Sequence, residues 1–433
     1  MSKDGKSPLL TQNRQFRYSS SREVRIYPIL PATAATLLSQ AGHEVLYLDG
    51  INEQLSIGQF MRRLSDFAPE LAMLETKAPL LGRHSEIVGQ MKDEAGCKVA
   101  VVGDHVCWRP EEALRSTGAD YAIASGDYDW AFYQLGELLN SGDRVPSGTW
   151  GQPEHGDRGC PALDDLDQLP FIDRKLTKWW LYGEAYLNHP CTYIMTGRGC
   201  GGGPRGPGAC SFCAWQHLLW HGRPRLRSAG NVASELDLLL QGMHLSEVFD
   251  DNESGAIWNA RWLEAFLHEM KDRGILGEVT ISSNARADSL TKDTCQLLRK
   301  LGYRLLKVGV ESGNDETLAR IGKGETIDEI RRGIRNAKDA GLTVMMTVMV
   351  GYPWEGPAET ERTLEFCRDL MRYKPKMGDS LQASVIVPYP GTPIYTQAVE
   401  QGWLAVNPQD YEMYDMSRPV LESKVDAFQK QII

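Results

Sequence analysis

The chain has 433 residues, 42% of them hydrophobic and 24% charged, with a formal net charge of -10 and a pI near 5.5. That length leaves room for two or three domains with substantial cores. The acidic balance argues against a protein whose main task is gripping nucleic-acid phosphates, which needs an electropositive face, so no nucleic-acid partner is expected. The opening residues MSKDGKSPLLTQNRQ lack the apolar stretch of a secretory signal, and runs such as VMMTVMV are too short to span a bilayer, so a cytoplasmic protein without a transmembrane segment is expected. Nine cysteines, an odd number spread thinly outside one cluster, point to thiolate chemistry rather than a disulfide framework.

After a polar segment at 1–21, residues 22–140 alternate short β-branched runs with helix-like stretches. The runs VRIYPIL, EVLYLDG, LAMLET, KVAVVGD and YAIAS each lead into such a stretch, and they are apolar enough for a parallel sheet covered on both faces. The expectation is an α/β chain that opens with a doubly wound, Rossmann-like or flavodoxin-like domain, which binds its ligand at the C-terminal ends of the strands. No G-x-G-x-x-G follows the first run, which disfavours a dinucleotide. Residues 141–190 are rich in Gly, Pro and Asp and show neither period, as in a linker.

Over 191–404 the alternation restarts with TYIMT, SEVFDDN, EVTISSN, RLLKVGVES, TVMMTVMVG and SLQASVIVPY. Six such units predict a partial (β/α)6 barrel of the TIM type, whose active site lies at the strand C-terminal ends. Residues 405–433 read as a C-terminal segment that begins a helix, as at the start of a truncated or small third domain.

Directly after the first barrel strand stands GRGCGGGPRGPGACSFCAW, with Cys200, Cys210 and Cys213 in one loop. Three readings fit those thiols. With His217 or His221 they make a structural zinc site; alone they hold an iron-sulfur cluster with one iron open to a small ligand; or they are thiols of no special role. The convergence of five further polar strand ends on the same face favours the second, since a structural zinc site needs no such neighbours.

With these residues together, the sequence resembles the radical S-adenosylmethionine (SAM) superfamily, in its cobalamin-binding branch. Residues 192–404 carry the barrel resemblance. In that family a C-x3-C-x2-C loop holds a 4Fe-4S cluster, and the open iron chelates SAM. The resemblance therefore implies Cys200, Cys210 and Cys213 as metal ligands, with Phe212 just before the last, although nine residues separate the first two cysteines instead of three. The filler GGGPRGPGA has little side-chain bulk, and lengthening a flexible loop costs only about 0.6 kcal/mol per doubling.

The other strand ends follow the same resemblance. Asp250 and Asp251 stand where the SAM amino group is met. Ser282, Asn284 and Arg286 end the third strand, Arg286 resembling the arginine near the SAM carboxylate. Glu311 and Ser312 match positions at the ribose, Gly351 and Tyr352 belong to the segment against which adenine packs, and Pro388 lies in PYPGTP, a frequent sixth-strand signature. Trp179, Trp180, Trp215 and Trp220 are either cavity walls or core packing.

In the N-terminal domain the resemblance implies cobalamin, cradled by loops at Pro31, Ala32 and Thr33, at Thr76 and Lys77, at Gly103, Asp104 and His105, and at Gly126 and Asp127. The D-x-H-x-x-G motif is missing, so His105 reads as a turn or packing histidine before a cobalt ligand. The implied activity is methylation of an unactivated carbon or phosphorus centre, through a 5'-deoxyadenosyl radical and methylcobalamin. It implies a small-molecule, peptide or natural-product substrate and an external electron donor of the flavodoxin or ferredoxin kind. Two alternatives stand beside it: cyclisation, rearrangement or oxidation by the same cofactors without methyl transfer, and a zinc-stabilised binding protein on a degenerate barrel.

Overall fold

The computed structural model describes residues 24–142, 148–150, 163–201, 210–415 and 418–422. The polar segment 1–21, most of the loop GGGPRGPGA and the helix expected at the C-terminal end lie outside the described residues. The chain divides into two compact units, residues 1–184 with 409–416 and residues 185–408 with 417–433.

The first unit is built on a parallel sheet of β1 (Leu71–Glu75), β2 (Lys98–Val102), β3 (Tyr121–Ile123) and β4 (Gly148–Trp150), paired in that order. Val99 to Val102 are completely buried, as a central strand covered on both faces requires. Helix α1 (Ile29–Gln40) packs on α6 (Tyr128–Asn140), while α2 (Ile57–Phe67) packs on α3 (Leu81–Ala95) and α3 on α5 (Pro110–Thr117). Between β2 and α5 lies the short helix α4 (Asp104–Trp108).

Two of the five expected strands do not join this sheet. The first run is split at Pro28, because Pro cannot donate a ladder bond; Val24–Arg25 pairs antiparallel with Gly183–Glu184, and α1 begins at Ile29. The second run, Glu44 to Gly50, forms no strand. Its polar groups find side-chain partners instead: Asp49 accepts from Ile51 N–H and Asn52 N–H, and from the Tyr182 hydroxyl at 2.8 Å. Such local bonds compete with a ladder. In exchange β4 comes from the stretch expected to be linker.

The second unit is an open sheet of six parallel strands in sequential order: β5 (Cys191–Ile194), β6 (Glu247–Asp250), β7 (Thr280–Ala285), β8 (Tyr303–Glu311), β9 (Thr343–Val350) and β10 (Ser380–Val385). All six expected strands form. Helices α7 (Ala229–Gly242), α8 (Ala260–Asp272), α9 (Lys292–Lys300), α10 (Asp315–Arg320), α11 (Ile327–Asp339), α12 (Pro357–Arg372) and α13 (Pro393–Glu400) fill the connections. Leu306, Val308, Val344 and Met346 meet Ile334 and Leu370 in one apolar core, each such side chain contributing about 1.5–3 kcal/mol by leaving water.

The strand starts carry buried ion pairs. Glu247 is held by Arg304 at 2.7 Å and Asp379 by Lys338 at 2.9 Å. That end of the sheet therefore serves stability, and the opposite end is left for chemistry.

Candidate functional site

The cysteine loop starts as a hairpin in which Gly197–Arg198 pairs antiparallel with Arg225–Leu226. Three alternate glycines are dictated by close approach. A Cβ on Gly197 or Gly199 would lie 2.3 or 2.4 Å from the carbonyl oxygens of Arg225 and Arg223, and one on Gly201 would lie 2.3 Å from the Trp258 ring. Gly199 also has φ +89, where only glycine is unstrained. The Glu253 carboxylate fixes this start by accepting from Gly199 N–H at 3.0 Å and from the Trp220 indole N–H. Burial pushes that carboxyl up to about 7.

The second half of the loop is tied by its backbone to the C-terminal end of α10 and the first turn of α13. Ser211 N–H donates to Ile321 O at 2.8 Å, Ile394 N–H to Ser211 O at 3.1 Å, and Cys213 N–H to Cys210 O at 2.9 Å, after which Trp215–Leu219 forms a π-helical turn. Such turns cluster at functional sites. Burial pushes the Cys210 and Cys213 thiols up, the charges of Cys210 and Cys200 push Cys213 further, and Lys323 and Arg286 pull Cys210 back. Cys210 and Cys213 thus lie within electrostatic reach of each other, with Lys323 and Arg286 close to Cys210. Among the described residues no three His, Cys, Asp or Glu side chains are grouped closely enough to hold a metal ion.

The fourth ligand of the zinc reading is committed elsewhere. His217 Nε2 lies 3.2 Å from the Cys210 carbonyl oxygen, and His221 is exposed.

Beside Cys210 lies a buried charge network. Arg286 makes a two-pronged pair with Asp288 (3.1 and 2.9 Å) and donates to Lys323 O at 2.9 Å. The Lys323 ammonium lies 3.4 Å from Glu311 and 3.3 Å from Glu325. Glu311 has φ +64 at a register shift ending β8, and a non-glycine residue held there marks a functional constraint. The structure therefore brings Arg286, Glu311 and the cysteine loop together. Sequence reading missed Lys323 and Glu325; the only signal was a polar IGKGET turn with two glycines at positive φ.

Several expected contacts are occupied internally. Asp250 accepts from Thr196 N–H at 2.9 Å and its hydroxyl at 2.7 Å, and the Ser312 hydroxyl donates to Glu355 at 3.1 Å. The Ser282 hydroxyl donates to Glu247 at the start of the neighbouring strand. Asn284 donates to Asn252 O at 2.9 Å, while Asp251, Gly351 and Pro388 are buried at strand ends. Phe212 packs on the apolar core. Tyr352 keeps a buried hydroxyl with no protein partner, facing the charges of Glu311, Glu355 and Cys210. Trp215 and Trp220 are buried and meet edge to face at 6.3 Å, whereas Trp180 is 58% exposed.

In the first unit, register aligns Glu75 with Val102 and Val102 with Ile123. Thr76 and Lys77, Gly103 to His105, and Gly126 with Asp127 therefore share one end of the sheet. Thr76 has a buried, unpartnered hydroxyl, and burial lowers the Lys77 pKa. His105 lies between the rings of Trp108 (5.5 Å) and Tyr411 (4.8 Å), with neither ring nitrogen hydrogen-bonded. Pro31, Ala32 and Thr33 sit within α1, which starts right after Pro28, and the Thr33 hydroxyl donates to Ile29 O at 2.8 Å. A cavity of about 690 Å³ that sequence reading missed runs along the outer edge of β1, lined by Pro31, Tyr47, Leu74 and His84 among others.

Six sequential parallel strands with a three-cysteine loop after the first define the class: an open (β/α)6 barrel with its cysteines at the end of the first strand. Residues 194–367 match the family model of the radical SAM superfamily, and this unit is a radical SAM domain. The chain is 24% identical over 391 residues to an uncharacterized methyltransferase of Pyrococcus horikoshii, covering 88% of this chain and 80% of that one. It is 23% identical over 418 residues to the anaerobic magnesium-protoporphyrin IX monomethyl ester cyclase of Rubrivivax gelatinosus, covering 93% and 71%. Among solved structures it resembles the radical SAM methyltransferase TsrM from Kitasatospora setae with cobalamin and a 4Fe-4S cluster bound, with TM-score 0.69, 17% identity and coverage of 90% and 82%. It also resembles the cobalamin-dependent enzyme OxsB with aqua-cobalamin and SAM bound, with TM-score 0.71, 15% identity and coverage of 95% and 64%. These likenesses show a shared fold. Among the described residues no helix is long and apolar enough to cross a membrane.

Proposed function

We propose that the protein is a cobalamin-dependent radical SAM methyltransferase acting on an unactivated carbon or phosphorus centre of a small-molecule or peptide substrate. The observation that carries this reading is the set of three thiols at the mouth of the six-stranded sheet, beside the Lys323–Glu311 and Arg286 network. Cys200, Cys210 and Cys213 hold the cluster. Arg286 and Lys323 stabilise negative charge next to Cys210, and Glu311 and the Tyr352 hydroxyl offer the remaining polar contacts for SAM. The strand ends at Thr76, Lys77 and Gly103 to His105 offer the surface for cobalamin, supported by the fold shared with TsrM and OxsB. When bound, these cofactors supply a 5'-deoxyadenosyl radical and a transferable methyl group, and the protein supplies orientation and exclusion of water.

Anaerobic reconstitution tests the reading. The expected result is a brown, cobalamin-binding protein that cleaves SAM to 5'-deoxyadenosine, loses this on Cys213→Ala, and forms S-adenosylhomocysteine with substrate. Colourless protein that retains zinc after those steps would overturn it. The cyclase likeness of the whole chain favours a second reading, ring closure without methyl transfer; it predicts 5'-deoxyadenosine without S-adenosylhomocysteine.

A further inference from the structure

Hydrogen bonding along β1 fixes which of its backbone groups are used. Lys98 N–H donates to Glu70 O at 3.0 Å and Thr76 N–H to Val102 O at 2.8 Å. In a parallel pair, alternate residues bond the same neighbour, so Ala72 and Leu74 face β2 while the N–H and C=O of Leu71 and Met73 point to the outer edge. That edge opens into the cavity of about 690 Å³, which residues 45–48 also line. Among the described residues, 45–48 make no backbone hydrogen bond. The run is anchored at both ends: His43 Nε2 lies 2.6 Å from Glu137 Oε1 on α6, and Asp49 accepts from the Tyr182 hydroxyl at 2.8 Å. Two extended walls with unused peptide groups thus line one slot.

The slot has the size of a strand. A strand in a packed sheet takes about 3.3 Å along its axis, 4.8 Å across and 10 Å through the sheet for each residue, about 160 Å³. The cavity therefore holds about four residues. Both helix pairs line it, with Leu38 of α1 and Phe132 of α6, and with Leu64 of α2 and Met91 of α3, so an occupant must be apolar on both faces. His84, also in the lining, is buried with its Nδ1 lacking a hydrogen-bond partner. A small apolar molecule would fill the volume but leave the peptide groups of Leu71 and Met73 buried and unpaired, which is unfavourable. An added strand satisfies both demands.

We propose that this slot binds an extended apolar peptide segment of about four residues, which joins the sheet between β1 and residues 45–48. The segment carries β-branched or other apolar side chains and neither Pro nor charge, as Val99 to Val102 do in the centre of the same sheet. The inference is independent of the assignment of the cysteines.

The test is amide hydrogen exchange of the full chain, resolved to single residues, alone and with acetyl-Lys-Lys-Val-Ile-Val-Thr-Lys-Lys-amide. The Leu71 and Met73 amides are expected to exchange freely in the protein alone and at least about tenfold more slowly with the peptide. Ala72 and Leu74, bonded to β2, should change little. The same peptide N-methylated at its four central residues should give no slowing. Met73→Pro removes an outward N–H and no bond to β2, and should weaken binding of the unmethylated peptide about tenfold. The comparison of the two peptides needs no altered protein and stands even if that variant does not fold. Slow exchange of Leu71 and Met73 in the protein alone would mean that the chain itself pairs there, and equal slowing by both peptides would mean apolar burial without a ladder. Either result overturns the proposal, as does the absence of slowing with the unmethylated peptide.

Discussion

The Lys323 ammonium stands 3.4 Å from Glu311 Oε1 and 3.3 Å from Glu325 Oε2, where β8 ends in a left-handed residue. One cation therefore holds two buried carboxylates, and its own carbonyl oxygen holds Arg286. Removing one member of such a set leaves uncompensated buried charge, at a cost of about 3–5 kcal/mol. Lys323→Met is expected to destabilise the second unit by that amount and to weaken SAM binding at least about tenfold. Denaturant unfolding and titration calorimetry check both. Adding Glu311→Gln should recover part of the stability but none of the SAM affinity, because it relieves a buried repulsion while also altering a proposed SAM contact.

Gly201 lies against the face of Trp258, with a built Cβ 2.3 Å from the ring. An indole packed on one side cannot yield by that much, so Gly201→Ala must push the chain at Cys200 outwards. The expected outcome is reduced iron per chain after reconstitution. Gly222→Ala is the control: it sits at positive φ, +66, but a Cβ there would have nothing within 4 Å. It should cost only local strain of about 1–2 kcal/mol and leave iron content unchanged.

His84 and His105 both lie in the first unit, and burial pushes each down from 6.5 to about 4. An imidazole with a lowered folded-state pKa contributes stability that is complete above pH 6.5 and is lost as pH falls towards 4. Over those units each site contributes at most about 3 kcal/mol. Stability of the first unit should therefore fall steeply between pH 6.5 and 4, measured by unfolding followed through tryptophan fluorescence. His105→Asn should flatten that slope.

Arg304 holds Glu247 at 2.7 Å at the strand-start end of the second unit, with Glu247 fully buried. Arg304→Met strands the carboxylate and is expected to cost about 3–5 kcal/mol. Because this pair lies at the end away from the cysteines, SAM affinity at temperatures well below unfolding should not change. A variant that lost SAM binding while still folded would contradict the division of labour between the two ends.

Hydrophobic period alone determined most of the second unit. Each of its six strands is a local apolar run followed by an amphipathic helix, and sequential parallel pairing needs no further information than that order. The cysteine loop was equally legible, since thiol spacing and the alternate glycines of GRGCG are local. The first unit was less so. EVLYLDG reads as a strand by period, yet Tyr182, more than a hundred residues away, bonds Asp49 in it. The strand Gly148–Trp150 is recruited from a stretch with no period of its own.

What only the tertiary structure decided is which charges meet. Arg286, Glu311 and the turn that carries Lys323 and Glu325 lie on three separate segments, and their pairing depends on how strand ends and turns approach in space. The same holds for His217, whose spacing suits zinc until its ring is found against the Cys210 carbonyl oxygen. Periodicity and motif spacing are properties of neighbours along the chain, and so the sequence carried them. Charge compensation among buried groups acts across space over a few ångströms, and only the folded chain fixes those distances.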